Sequence, residues 1–140
     1  MTEHLDQNRL DELWDFDDFT ASEQRFRSEL LLVEPGSVIG AELAAQLARV
    51  LLERGRGLNS SGRAAEAIPL FEEALATAAA IGADYLTVDA AHMLAIADPE
   101  HAERWTIRAL ETVDETTDTR TKRWAVSLHP TANLGAGSDR

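Results

Sequence analysis

The sequence predicts an all-α fold built of antiparallel helix hairpins, and three observations carry that prediction. Ala, Leu, Glu and Arg dominate while Val, Ile and aromatics are sparse, and unbranched side chains lose little rotamer freedom in a helix. Apolar residues recur at spacings of three and four through most of the chain, the period of one helix face. Gly and Pro punctuate that pattern at helix-length intervals. At 140 residues the chain fits one domain.

The elements follow in order. Residues 1–19 mix charge with aromatics and read as an acidic, loosely helical or disordered lead-in. A first helix is predicted over 22–33, with Phe26, Leu30 and Val33 on one face, Ser22 as N-cap and Pro35-Gly36 as the stop. Leu43, Leu47, Val50, Leu51 and Leu58 give a second, longer helix over 41–60, closed by Ser60-Ser61-Gly62. Ala67, Ile68, Phe71, Ala74, Leu75 and Ala78 form the stripe of a third over 64–80, closed by Gly82. A fourth covers 85–96 and a fifth 99–113, because Pro99 suits a first helical turn. A sixth is expected over 119–128, before Pro130 and a glycine-containing flexible tail at 129–140. The helical body is thus placed at 20–128.

Composition excludes several functions. Without cysteine there is neither a disulfide framework nor a thiolate metal site. A formal net charge of -12 opposes nucleic-acid binding, which rests on Lys and Arg displacing phosphate counterions. No apolar run approaches the roughly 20 residues of a membrane span, and the acidic start lacks a signal-peptide core. No membrane role and a cytoplasmic location are expected. The charge is uneven: acids crowd residues 3–18, whereas Arg49, Arg54, Arg56 and Arg63 form a basic stripe.

A 35-residue shift lays Leu51 on Leu86, Gly55 on Ala90, Leu58 on Met93, Ala67 on Ala102, Ala74 on Ala109 and Leu75 on Leu110. Small falls on small and large on large, as stacked helix hairpins require. Within the first copy, Gly55, Gly62, Ala67, Phe71 and Ala74 resemble the tetratricopeptide repeat: a small residue, a turn glycine seven later, an alanine five on, an aromatic four further and an alanine three beyond. The second copy (Ala90, Ala97, Ala102, Thr106, Ala109) departs at the turn and at the aromatic, where Trp105 stands one place early. The repeats fall at about 48–81 and 83–115. The resemblance implies a short right-handed α-solenoid, incomplete at both ends, as in a truncated relative of a longer array or a piece that borrows stability from a partner.

Chemistry-bearing constellations are not expected. His4, His92, His101 and His129 show no ligand spacing, and His92 reads as a seam or surface histidine. Asp15, Asp17 and Asp18 lack the glycine and bidentate glutamate of a calcium loop. Gly55-x-Gly57 and Gly135-x-Gly137 have neither a preceding strand nor a Lys-Ser/Thr, so no phosphate cradle is indicated. The serines near Gly62 have no His and Asp around them. No catalytic residue, metal or cofactor is therefore predicted.

In the resembled family the first helix of each hairpin lines a concave groove that holds a peptide. By that resemblance Arg49, Leu52, Arg56, Asn59 and Ser60 of the first copy, with Asp84, Thr87 and Leu94 of the second, would face it. The basic stripe makes an acidic partner the expectation. The family's carboxylate clamp for chaperone C-termini pairs lysines and asparagines that have no counterpart here. Trp14, Phe16 and Phe19 read either as a docking peptide for a basic groove, this protein's own included, or as a cap on the first helix. Trp124, Val126 and Leu128 lie on a helix whose partner is not encoded, which suggests a homodimer through it; folding back onto the fifth helix is the alternative. The functions that fit are a non-enzymatic protein–protein adaptor, or a ligand- or peptide-sensing domain of a bacterial regulator.

Overall fold

In the computed structural model, which describes residues 4–128 (the side chains of 124–128 excepted), the chain is all-helical among the described residues. The helices are α1 (Gln7–Leu13), α2 (Phe19–Leu30), α3 (Val38–Ser60), α4 (Ala64–Ala80), α5 (Asp84–Ala97), α6 (Ala102–Glu115) and α7 (Thr119–Leu128), with a 3₁₀ turn, Pro99–His101, leading into α6. Each helix packs on the one before it, and α3, α5 and α7 also touch in succession. This places α5 in the middle, against α3, α4, α6 and α7.

Local chemistry sets the boundaries. Asp6 accepts the Asn8 N–H at 2.9 Å and starts α1 inside the lead-in. Asp18, not Ser22, caps α2, taking the Ala21 N–H at 3.0 Å. Both residues can cap, but starting at Phe19 turns that ring onto Trp14, 6.3 Å away edge-to-face. Ser22 is buried one turn in, where its hydroxyl accepts the Asp15 N–H at 2.7 Å. Because α2 stops at Leu30, Leu31 and Leu32 stand exposed in the turn. Ser37 begins α3 three residues before the predicted start, accepting from the Gly40 N–H.

The α2–α3, α3–α4 and α4–α5 turns each carry a left-handed glycine, Gly36, Gly62 and Gly82. At Gly62, φ is +79°, and the Arg63 N–H returns to the Leu58 carbonyl at 2.9 Å, which satisfies a carbonyl that the helix end would leave orphaned. The α5–α6 turn has no such glycine. There Asp98 accepts from the Trp105 indole N–H at 3.0 Å and Pro99 opens the 3₁₀ turn.

The core runs lengthwise from Leu13 and Phe26 through Leu43, Leu47, Leu51 and Phe71 to Leu94 and Trp105. Phe71 lies against Gly55 so closely that a Cβ there would strike its ring. Burying each of the two phenylalanine rings fully removes enough apolar area to contribute about 2–3 kcal/mol. Val88, Ala91 and Ala109 form a satellite cluster on the far side of α5.

Candidate functional site

On α3, Arg49, Glu53, Arg56 and Ser60 follow the three-and-four spacing of one helix face and all reach solvent. Beside Arg49, Leu52, Arg56 and Leu86 stand three aromatics of the lead-in, Trp14, Phe16 and Phe19, and together they enclose an open cavity of roughly 310 Å³. Trp14 is fixed from three sides. Its indole N–H donates to Gln46 Oε1 at 2.9 Å, its ring meets Phe26 edge-to-face at 5.5 Å, and Phe16 stacks flat on it at 4.9 Å. Phe16 remains 73% exposed, so the stacked pair forms a rim with one apolar face to water.

Of the residues predicted to line a groove, Arg49 fits best: it is exposed and pairs with no carboxylate among the described residues. Arg56 is also at the cavity but is engaged, donating to Glu53 at 3.0 Å and to Asp89, on α5, at 2.5 Å. Burial pulls the Arg56 pKa down, yet the Asp89 hydrogen bond and charge more than counter it, and the net direction is upward. The same pair acts on His92, one turn along α5. Burial lowers the His92 pKa, Asp89 opposes and Arg56 reinforces, and the net direction is downward.

Three predicted groove residues are core instead. Thr87 is buried with its hydroxyl on the Ala83 carbonyl at 3.1 Å, and Leu94 has no exposed surface. Leu52 is 1% exposed and serves only as the cavity floor. The reason is what covers them: the lead-in aromatics lie over α3, and α6 and α7 flank α5. Asp84 accepts the Thr116 hydroxyl at 2.7 Å, which ties α5 to the α6–α7 turn. Asn59 is half-buried and Ser60 exposed, both toward the far end of α3; Ser60 is about 16 Å from Arg49 along the axis at 1.5 Å per residue.

No family model, curated protein or solved structure matches the chain. Its own geometry is therefore what a functional reading must use. Sequence reasoning missed Glu53 and Asp89, whereas Trp14, Phe16 and Phe19 were read as a cap on the first helix or a segment docked in a basic groove of this chain; Trp14 packs on Phe26 of α2, and all three aromatics line the cavity beside Arg49 and Arg56. The signal for Glu53 was present, since 49, 53, 56 and 60 make one continuous helical stripe; Asp89 required knowing which face of α5 meets α3. Among the described residues no group of His, Asp and Glu could hold a metal ion, and no helix is long and apolar enough to cross a membrane. The side chains of Trp124, Val126 and Leu128, and His129 with the tail, lie outside the described residues.

Proposed function

We propose that the protein is a non-enzymatic, tetratricopeptide-like interaction module that holds an acidic peptide segment of a partner against the α3–α5 face. The observation that carries this reading is the cavity walled by Trp14, Phe16 and Phe19, with Arg49, which pairs with no carboxylate among the described residues, at its rim. An apolar side chain of the partner enters beside the aromatic rings, and a neighbouring carboxylate meets Arg49. Succession of contacts along α3, α5 and α7 supports stacked helix hairpins as the arrangement behind this face, and a right-handed solenoid is the form the resemblance implies. Arg56 belongs to the scaffold in this reading, because Glu53 and Asp89 already hold it.

A panel of short peptides that place one Leu or Phe next to one or two Asp or Glu tests the reading, with binding followed by titration calorimetry. The expected result is binding that weakens with salt and drops at least about tenfold in Arg49→Glu, the loss expected of a charge-assisted contact of 1.4 kcal/mol or more. Equal affinity for peptides carrying Lys in place of the acids would reject the acidic partner.

A further inference from the structure

A cavity of roughly 610 Å³ lies not on the α3–α5 face but between α4 and α6. These two helices both pack on α5 without packing on each other, which leaves a channel above it. Its α4 side is made of Leu75, Ala76 and Ala79, and the sequence from Leu75 to Ile81 contains no charged residue. Its α6 side is Trp105 and Ile107, and Ile107 is 49% exposed although it is a large apolar residue.

Over this apolar floor stand two arginines one turn apart. Arg104 lies across the Trp105 ring, 4.7 Å from its centroid. Arg108 is steadied by donating to the Thr112 hydroxyl at 2.6 Å. Neither forms a close ion pair among the described residues, Arg104 acting on the Asp98 carboxylate only through its charge, although the chain carries 25 Asp and Glu against 13 Lys and Arg. Arg9, Arg27, Arg54, Arg56 and Arg63 are all paired. Glu72 and Glu111 also line the channel, so anionic character in an occupant is favoured beside the arginines and not along its whole length.

We infer that the α4–α6 channel is a second docking surface, and that its occupant is an amphipathic helix of a partner protein bearing two carboxylates one turn apart. The carboxylates meet Arg104 and Arg108, and apolar residues three or four positions away fill the space over Leu75, Ala79 and Ile107. The small side chains of α4 allow a partner backbone to come close. Contact extends over about two helical turns, the span that paired positions one turn apart on each wall provide.

Selection from a displayed library of helix-forming 16-residue peptides against the full chain tests this. The library fixes helix-favouring positions and randomises one face among Leu, Ala, Glu, Gln and Lys. Enriched sequences are expected to share Glu at positions i and i+4 with Leu on the adjoining stripe. Their affinity should fall at least tenfold in the double variant Arg104→Glu/Arg108→Glu and in Ile107→Asp, and stay unchanged in Arg49→Glu. Circular dichroism melts of each variant establish that the fold is retained. The inference is overturned if no such carboxylate pair is enriched, if the double variant binds the peptides as tightly as the parent, or if Arg49→Glu alone abolishes binding. Concentration-dependent dimerisation lost in the double variant, with no peptide enriched, would overturn it in favour of a second copy of this chain.

Discussion

In α3–α4 the chain reverses through Gly62 at φ +79° and closes its seam by laying Phe71 on the bare face of Gly55. In α5–α6 the corresponding small position is Ala90, the aromatic stands at Trp105, and the reversal is governed by the Asp98 carboxylate, which accepts from the Trp105 indole and faces the His101 ring at 3.0 Å. The first hairpin is held by backbone freedom and shape. The second is held by a polar side-chain network around one carboxylate. Similar connectivity can therefore depend on different chemistry, and the two hairpins should respond differently to substitution and to pH.

The sharpest contrast is expected at the seam. Phe71→Ala empties a fully buried ring site and should cost about 3–5 kcal/mol in chemical denaturation. Thr106→Ala, at the matching position of the second hairpin and half-buried, should stay within about 0.5 kcal/mol. Comparable losses at the two positions would erase the distinction. Next in size is Ala67→Leu. Ala67 is wholly buried, and overpacking it should lower stability by about 1–3 kcal/mol; an unchanged thermal melt would reject a tight α3–α4 seam.

Gly62→Ala forces a Cβ into a left-handed conformation and should cost about 1–2 kcal/mol by the same measurement, whereas Gly57→Ala, inside α3 with open space around a built Cβ, should stabilise by up to about 1 kcal/mol. The smallest effect concerns acid. The Trp105 hydrogen bond first, and then the one from His101, hold Asp98 below its ordinary pKa. A depressed carboxylate stabilises the fold above its unfolded pKa, near 4, and that contribution fades as pH falls through the lower folded value. Between pH 6 and pH 3 the wild type should lose more in Tm than Asp98→Asn. Equal losses would show that Asp98 does not govern the second turn.

What the sequence revealed and what it hid divide along the reach of the interactions. Gly62, Ala67 and Phe71 were legible because their spacing reflects contacts inside one hairpin, and Ala64–Ala80 agrees with its predicted span to the residue. Ser22 was misread because Asp18 caps equally well, and the choice depended on where Trp14 would place Phe19. Leu94 was misassigned because the 35-residue shift copies the half-exposed Asn59 onto it, and Thr87 because Leu52, its match on α3, is itself buried. The flanking helices bury α5 on sides that α3 leaves open, and no local period encodes that. Arg49 and Arg56 look alike in sequence, but Arg56 is held by Glu53 and, across the seam, by Asp89, whereas Arg49 pairs with no carboxylate among the described residues.

The succession of contacts along the chain also bears on how it folds. Each helix meets chiefly its sequence neighbours, and the longer-range steps are those that join α3 to α5 and α5 to α7. Native contacts are therefore close in sequence, little loop entropy is lost before they form, and chains of low contact order fold in about microseconds to milliseconds. Since α5 is shared by both longer steps, amide exchange should be slowest there and fastest in α1, which touches only α2 among the helices. The chain would then open from its ends inward, so that the lead-in aromatics beside Arg49 leave α3 well before the centre of the array unravels.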